Sequence, residues 1–323
     1  MSMRMLVTGR GSIAGRHVRH LRELVPDVQL ALLSGTGEVD AALHPCEVLA
    51  DLDAGLRWKP DAVVIASASS RHAQELETCL QWGLPCLAEK PLVIARSELA
   101  RIRAARDAAS STPVAVGCNL RHLPALRKLR DELQGGSLGK VVRAQLEVGQ
   151  NLTQWRPARD LQSSYSAHAE QGGGVVFDLV HEIDLAHWLL GPLQVRAAIG
   201  GHFSSLQIAA DDVHVALLQD AGGAPVVVGL DYVSQRPVRR YAIVAEGGTL
   251  VCDLMARRLS LGQREAVRMI TDDPGDFDVE YTYRLQMMDW LAALRDPQHA
   301  VASPLADAFE TTELMLAMKE AAP

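Results

Sequence analysis

The residues with most chemistry in this chain are a lysine and a histidine set far apart in sequence. Lys90 stands in Glu89-Lys90-Pro91, directly after an apolar run, and His181 stands among Asp178, Asp184 and His187. Side chains that take and return a proton near neutral pH suit acid/base work on an alcohol or carbonyl oxygen, and histidine titrates in that range without help. Asp178, His181, Asp184 and His187 are each three residues apart. That spacing predicts one helical face on which a carboxylate orients the ring. The same residue types could hold a metal, but a third and a fourth ligand are missing, so no metal is expected. His187, in His187-Trp188-Leu189-Leu190, reads as packing.

A third group is built on glycine. Gly9-Arg10-Gly11-Ser12-Ile13-Ala14-Gly15 lies between the apolar run Met5–Val7 and a helical pattern of Ile13, Val18, Leu21 and Leu24. Strand, turn and helix in that order are the setting the G-x-G-x-x-G/A fingerprint of dinucleotide sites requires. Gly9 permits the tight turn, Gly11 lets a pyrophosphate approach the backbone, and Ala14 fills the third position. The N–H groups of Ser12, Ile13 and Ala14 would hold the phosphates. After the second apolar run, Val28–Leu33, NAD sites usually carry an acid for the ribose 2′-hydroxyl, but this chain has Ser34. Ser34 would not repel a 2′-phosphate. Arg10 either reaches that phosphate or stays in solvent. NAD(P)(H) is the expected cofactor, with NADP slightly favoured over NAD.

Positioning these groups takes alternating elements. Ala62–Ala66 reads as a buried strand that ends in Ser67-Ala68-Ser69-Ser70, followed by a helix over Arg71–Trp82. Ser67 and Ser69 suit close passage of a cofactor. His72 either joins them or is a capping or satisfied surface histidine. Cys86–Ala88 is a strand that Pro91 stops. This leaves Glu89 and Lys90 at a carboxyl end, where open α/β sheets bind ligands. A helix over Ser97–Ala109 and a strand at Val114–Val116 complete an α/β, doubly wound parallel sheet. The composition changes near Arg121. A helix at Pro124–Leu133 and a strand at Val141–Val148 come first. Strands then follow without helices between them, at Val195–Ile199, Val213–Leu218, Pro225–Tyr232, Tyr241–Ala245 and Thr249–Asp253. They predict a large, mainly antiparallel open sheet, closed by helices at Tyr283–Arg295 and Leu305–Lys319. The expected domains are residues 1–121 and 122–323. Between strands, a polar loop carries Trp155, Arg156, Arg159 and Tyr165. These side chains suit a sugar ring or an anionic sugar derivative, or else they anchor an exposed loop.

Three segments together resemble one family. They are the glycine turn with Arg16-His17, the run Ala88-Glu89-Lys90-Pro91, and Gly117-Cys118-Asn119-Leu120-Arg121 ahead of Pro124. They are similar to the Gfo/Idh/MocA oxidoreductases. The likeness continues through Gly172-Gly173-Gly174, Asp178, His181 and Asp184 into Glu246–Asp253, and so covers nearly the whole chain. The Glu-Lys-Pro segment is its most specific mark, and its Lys–Pro bond is often cis in that family. The resemblance implies an N-terminal Rossmann domain and a C-terminal α+β domain that binds substrate and makes homo-oligomers, dimers or tetramers, through its sheet. It implies hydride exchange with a ring alcohol or ketone of a sugar, nucleotide sugar or cyclic polyol. His181 would lie beside the nicotinamide. Lys90 and His181 would act as acid/base groups, with Asp178 or Asp184 supporting His181. Glu89 and Asn119 would lie near the cofactor, and Asn119 and Arg121 on the substrate side. Two departures stand out. The family's aspartate precedes the histidine by four residues, whereas Asp178 precedes His181 by three, and Ala68 replaces the usual proline.

Bulk properties agree with this frame. Hydrophobic residues at 48% and charged residues at 22% of 323 suit a folded chain of two domains. A formal net charge of −7 argues against a nucleic-acid partner. No apolar run is long enough for a membrane helix, and Met1–Arg4 is too short for an apolar leader. The five cysteines show no CxxC spacing and read as reduced thiols, so a cytoplasmic location is expected. Two other functions stay open from the sequence: an NAD-dependent glycoside hydrolase of the same fold, and a non-catalytic nucleotide-binding regulator.

Overall fold

A computed structural model of the chain describes residues 2–322 except 36, 38, 110, 111 and 156–164, and the side chains of 155 and 170 lie outside the description. The chain forms two compact units. One is Met1–Asn119 with Glu280–Phe309, and the other is Leu120–Val279 with Glu310–Pro323.

The first unit runs β1 (Arg4–Thr8), α1 (Ser12–Leu24), β2 (Gln29–Leu33), β3 (Glu47–Leu49), α2 (Leu52–Arg57), β4 (Ala62–Ile65), α3 (Ser69–Gln81), β5 (Cys86–Ala88), α4 (Arg96–Ala108) and β6 (Val114–Val116). The six strands lie in the order β3-β2-β1-β4-β5-β6 and every neighbour is parallel. Strands covered on both faces read as unbroken apolar runs. Met5, Leu6 and Val7 in β1 and Ala62–Ile65 in β4 are accordingly all fully buried. The strand order reverses between β1 and β4, and ligands of such sheets bind at that reversal. The pair β3–α2 was not foreseen, because Glu47–Leu49 is three residues long with no buried member.

The second unit holds α5 (Pro124–Gln134), β7 (Val141–Gly149), α6 (Leu152–Trp155), α7 (Val175–Asp178), α8 (Val180–Leu190), β8 (Leu193–Gly201), β9 (Val213–Asp220), β10 (Pro225–Asp231), β11 (Val238–Ala245), β12 (Gly248–Asp253), β13 (Arg258–Gln263) and β14 (Ala266–Thr271). Its eight strands lie in the order β14-β13-β12-β11-β7-β10-β9-β8. The pair β7–β10 is parallel and the others are antiparallel. Alternation divides the faces. Tyr241 and Ile243 of β11 and Leu250 and Cys252 of β12 are buried, whereas Ile199, Val215 and Leu217 stand exposed on the other side. The last two strands were not expected, since Ala266–Thr271 carries a mostly exposed pattern.

Two expectations need correction. The helix expected through 178–190 is broken. Leu179, at φ −99° and ψ 27°, ends α7 and precedes α8, so Asp178 and His181 do not share one continuous helical face. The expected boundary at 121/122 also assigned both closing helices to the second domain. Instead α9 (Val279–Arg295) sends Met287, Trp290 and Leu291 into the core formed by Met5, Val7, Leu21 and Leu30. These three side chains recur at helical spacing and are all buried, which draws this helix to the first unit. The following segment covers the edge of β6: the Val116 N–H donates to the Ser303 carbonyl at 2.9 Å. The last helix, α10 (Leu305–Ala321), begins in the first unit and ends in the second.

Candidate active site

The first part of the site is the turn after β1. Gly9 has φ +84°, and a Cβ there would lie 2.6 Å from the Ala66 carbonyl oxygen at the end of β4. The turn therefore needs glycine twice over, for its conformation and for its contact. Gly11 differs. A Cβ on it meets nothing within 4 Å among the described residues. Gly11 is the N-cap of α1, makes no side-chain cap bond, and no acid follows in the first turn. Open space in front of an uncapped, acid-free helix start is what a pyrophosphate requires. Gly11→Val should therefore leave the thermal unfolding midpoint near wild type while abolishing NADH binding in a fluorescence titration. A large loss of stability would mean that the glycine serves packing instead. Arg10 is exposed on this turn and Ser34 is buried at the end of β2.

The neighbouring strand ends complete this side. Ser67 follows β4 and donates to Glu75 at 2.8 Å, and Ser69 opens α3. Glu89 is buried with its Oε1 2.8 Å from His17 Nε2. Burial alone would raise this carboxyl. The His17 hydrogen bond and the charges of His17, Lys90 and His72 outweigh it and hold Glu89 below the usual carboxylate range. Lys90 follows, half-buried, and the Lys90–Pro91 peptide is cis. One assignment changes here. His72 neither caps α3 nor presents a nitrogen to a ligand. It is buried between the Pro91 carbonyl at 2.8 Å and the Ser67 carbonyl at 3.1 Å. Asn119 is likewise buried, and its amide donates to Thr282 at 2.6 Å.

In the second unit, α7 and α8 carry the acidic residues. Asp178 is buried and accepts from the Tyr232 hydroxyl at 2.6 Å. Burial and the Asp178 charge push Tyr232 well above its ordinary pKa, so it stays a donor. His181 is half-buried at the start of α8. Asp184 is not its partner. It takes Arg121 in a two-pronged bond, Nε at 2.9 Å and Nη2 at 2.7 Å, and accepts from Thr311 at 3.0 Å. Both ionic side chains are within 1% of full burial. Arg121 is thus a structural cation rather than the substrate-side donor that was expected. Glu182 forms a second buried group with Arg239 at 2.6 Å and Tyr241 at 2.8 Å. His187 lies in the last turn of α8 beside Trp188, whose ring stacks under Arg130. Tyr165 opens a one-turn 3-10 segment, Tyr165–Ala167, and is half-buried. Arg156 and the side chain of Trp155 lie outside the described residues. Tyr232 and the His17–Glu89 pairing went unnoticed in the sequence. Tyr232 ends an apolar strand run, and nothing local links His17 to a residue 72 positions away.

Comparison with known proteins decides the class. Residues 3–119 match the oxidoreductase-family model with an NAD-binding Rossmann fold, and residues 126–251 match the Gfo/Idh/MocA C-terminal domain. The chain belongs to the Gfo/Idh/MocA oxidoreductase family. Like others in this family, it is an NAD-binding oxidoreductase built from a parallel Rossmann sheet and a mainly antiparallel eight-stranded sheet. It is 29% identical over 310 residues to inositol 2-dehydrogenase 1 of Saccharopolyspora erythraea, covering 91% of this chain and 86% of that one. Its fold is shared with the WlbA dehydrogenase of Bordetella pertussis, solved with NADH and UDP-GlcNAcA. The TM-score is 0.84 at 19% identity, over 99% and 95% of the two chains. It is also shared with a levoglucosan dehydrogenase solved with NADH, at TM-score 0.84 and 18% identity over 100% and 97%. Among the described residues no cluster of side chains could hold a metal, and no helix is long and apolar enough to cross a membrane.

Proposed function

We propose that this oxidoreductase moves a hydride between a nicotinamide and a ring alcohol or ketone of a sugar, nucleotide sugar or cyclic polyol. The observation that carries the reading is the place of Lys90. It leaves the carboxyl end of β5, on the sheet whose strand β1 runs into the Gly9–Ala14 turn. Gly11, Ser12, Ile13 and Ala14 would hold the pyrophosphate, with Gly9 shaping the turn and Ser67 and Ser69 flanking it. When bound, the nicotinamide supplies the redox chemistry. Lys90 and His181 act on the carbinol oxygen, one as principal acid/base and the other as orienter or relay. Asp184 is committed to Arg121, so of the two candidate carboxylates Asp178, which also accepts from Tyr232, is the one assigned to support His181. Trp155, Arg156 and Tyr165 contribute to substrate binding.

The reading is tested by mixing purified protein with NAD⁺ or NADP⁺ and a panel of sugars, nucleotide sugars and cyclic polyols. Net formation of reduced nicotinamide supports it. Hydrolysis of a glycoside without such formation would replace it by the NAD-dependent hydrolase.

Cofactor choice turns on Ser34, which stands where NAD sites usually carry an acid, and on Arg10 in the glycine turn, so NADP is accepted alongside NAD and slightly favoured. Ser34→Asp is expected to raise the NADPH dissociation constant about tenfold relative to NADH, ~1.4 kcal/mol. Equal titrations of both cofactors before and after the change would remove Ser34 from the site. The exposed apolar side chains Ile199, Val215 and Leu217 on neighbouring strands β8 and β9 of the eight-stranded sheet fit a homo-oligomeric contact, and a cytoplasmic location fits the free cysteines.

A further inference from the structure

Two histidines grip the Glu89-Lys90-Pro91 segment from either side. On one side His17, on α1, is bonded to Glu89. The other Glu89 oxygen, Oε2, accepts from the Lys90 N–H at 3.3 Å. A Cβ on Gly117 would stand 2.8 Å from that oxygen, so the carboxylate occupies space that only glycine leaves. An ionised carboxylate only accepts, so His17 Nε2 is the donor. His17 Nδ1 is buried with no hydrogen-bond partner among the described residues. On the other side His72, on α3, reaches the Pro91 and Ser67 carbonyls. Its neutral ring donates to one of them, and its protonated ring to both. It ties the segment after β5 to the end of β4. These bonds fix the backbone on both sides of Lys90, while Lys90 itself is left half-buried. Helix α1 also begins at the glycine turn, five residues before His17 counted from Ser12.

We propose that His17 and His72 are positioning residues for Lys90: His17 acting through Glu89 and His72 through the Pro91 and Ser67 carbonyls set the direction in which the lysine leaves β5. The proposal rests on Lys90 being the acid/base group of the reaction. A displacement of about 1 Å at a reacting group costs on the order of a hundredfold in rate, so such a clamp has kinetic weight.

The chain contains five lysines, Lys59, Lys90, Lys128, Lys140 and Lys319. Reductive methylation with ¹³C-formaldehyde therefore gives a sparse NMR spectrum, in which Lys90→Arg identifies the Lys90 signal. In His72→Leu and Glu89→Gln the Lys90 signal should move by more than its linewidth while the other four stay. In His17→Gln, whose amide can still donate to Glu89, it should stay near its wild-type position, whereas His17→Leu should displace it. If His17→Leu fails to fold, Glu89→Gln against His17→Gln makes the same comparison. A Lys90 signal unmoved in every folded His72 and Glu89 variant overturns the proposal, since a loss of general stability alone would not shift one lysine in five. The underlying reading fails separately: if Lys90→Ala keeps full turnover, Lys90 is not the acid/base group, whatever its signal does.

Discussion

Lys90→Ala is expected to lower kcat by a factor of about 10²–10⁴, the range that a positioned acid or base contributes. The protein should remain folded and still bind NADH. The lysine lies two residues past the end of a buried strand, and the groups that lock this strand end, Glu89 with His17 and Pro91 with His72, are untouched by the change. His181→Ala should give a loss of similar size. The two side chains are assigned to one oxygen, so the double variant should be little worse than the poorer single one. Steady-state rates on the best alcohol from the substrate panel, with NADH titration as the control for binding, measure this. Two single variants with wild-type turnover would remove both residues from the chemistry.

The largest stability effect is expected at Arg121. Its guanidinium and the Asp184 carboxylate are buried together in the second unit. Removing one partner of such a pair strands the other charge out of water, at a cost of about 3–5 kcal/mol. Arg121→Met should show that loss in urea unfolding. The double variant Arg121→Met with Asp184→Leu should recover most of it, because well-packed apolar residues replace a buried pair at little net cost. A single variant as stable as wild type would return Arg121 to the substrate-side role that the sequence suggested.

That suggestion shows where sequence reading stops. The strand–turn–helix around Gly9–Ala14 and the strand ends were legible because each lies within a dozen residues of the signal that marks it. Cys86–Ala88 and Val114–Val116 were found to the residue, for apolar runs between glycine and proline leave little choice. The partners of the charged residues were not legible. Arg121 and Asp184 are 63 positions apart, and His17 and Glu89 are 72 apart. The i, i+3 pattern of Asp178 and His181 looked continuous because Leu179 carries no helix-breaking side chain. Its turn is set instead by surroundings that place Asp178 on Tyr232. Strands β3 and β14 went unseen because they are short or exposed, and so lack the periodicity that burial imposes.

The return of α9 to the first unit has a consequence for how the protein is made. When residues 1–119 leave the ribosome they carry every strand of the parallel sheet but not Met287, Trp290 or Leu291. The nascent sheet therefore waits, with a gap in its core the size of an indole and two aliphatic side chains, through the synthesis of about 160 further residues. Translation order and folding order diverge in this chain: the unit that is born first cannot close its core until most of the other has been made.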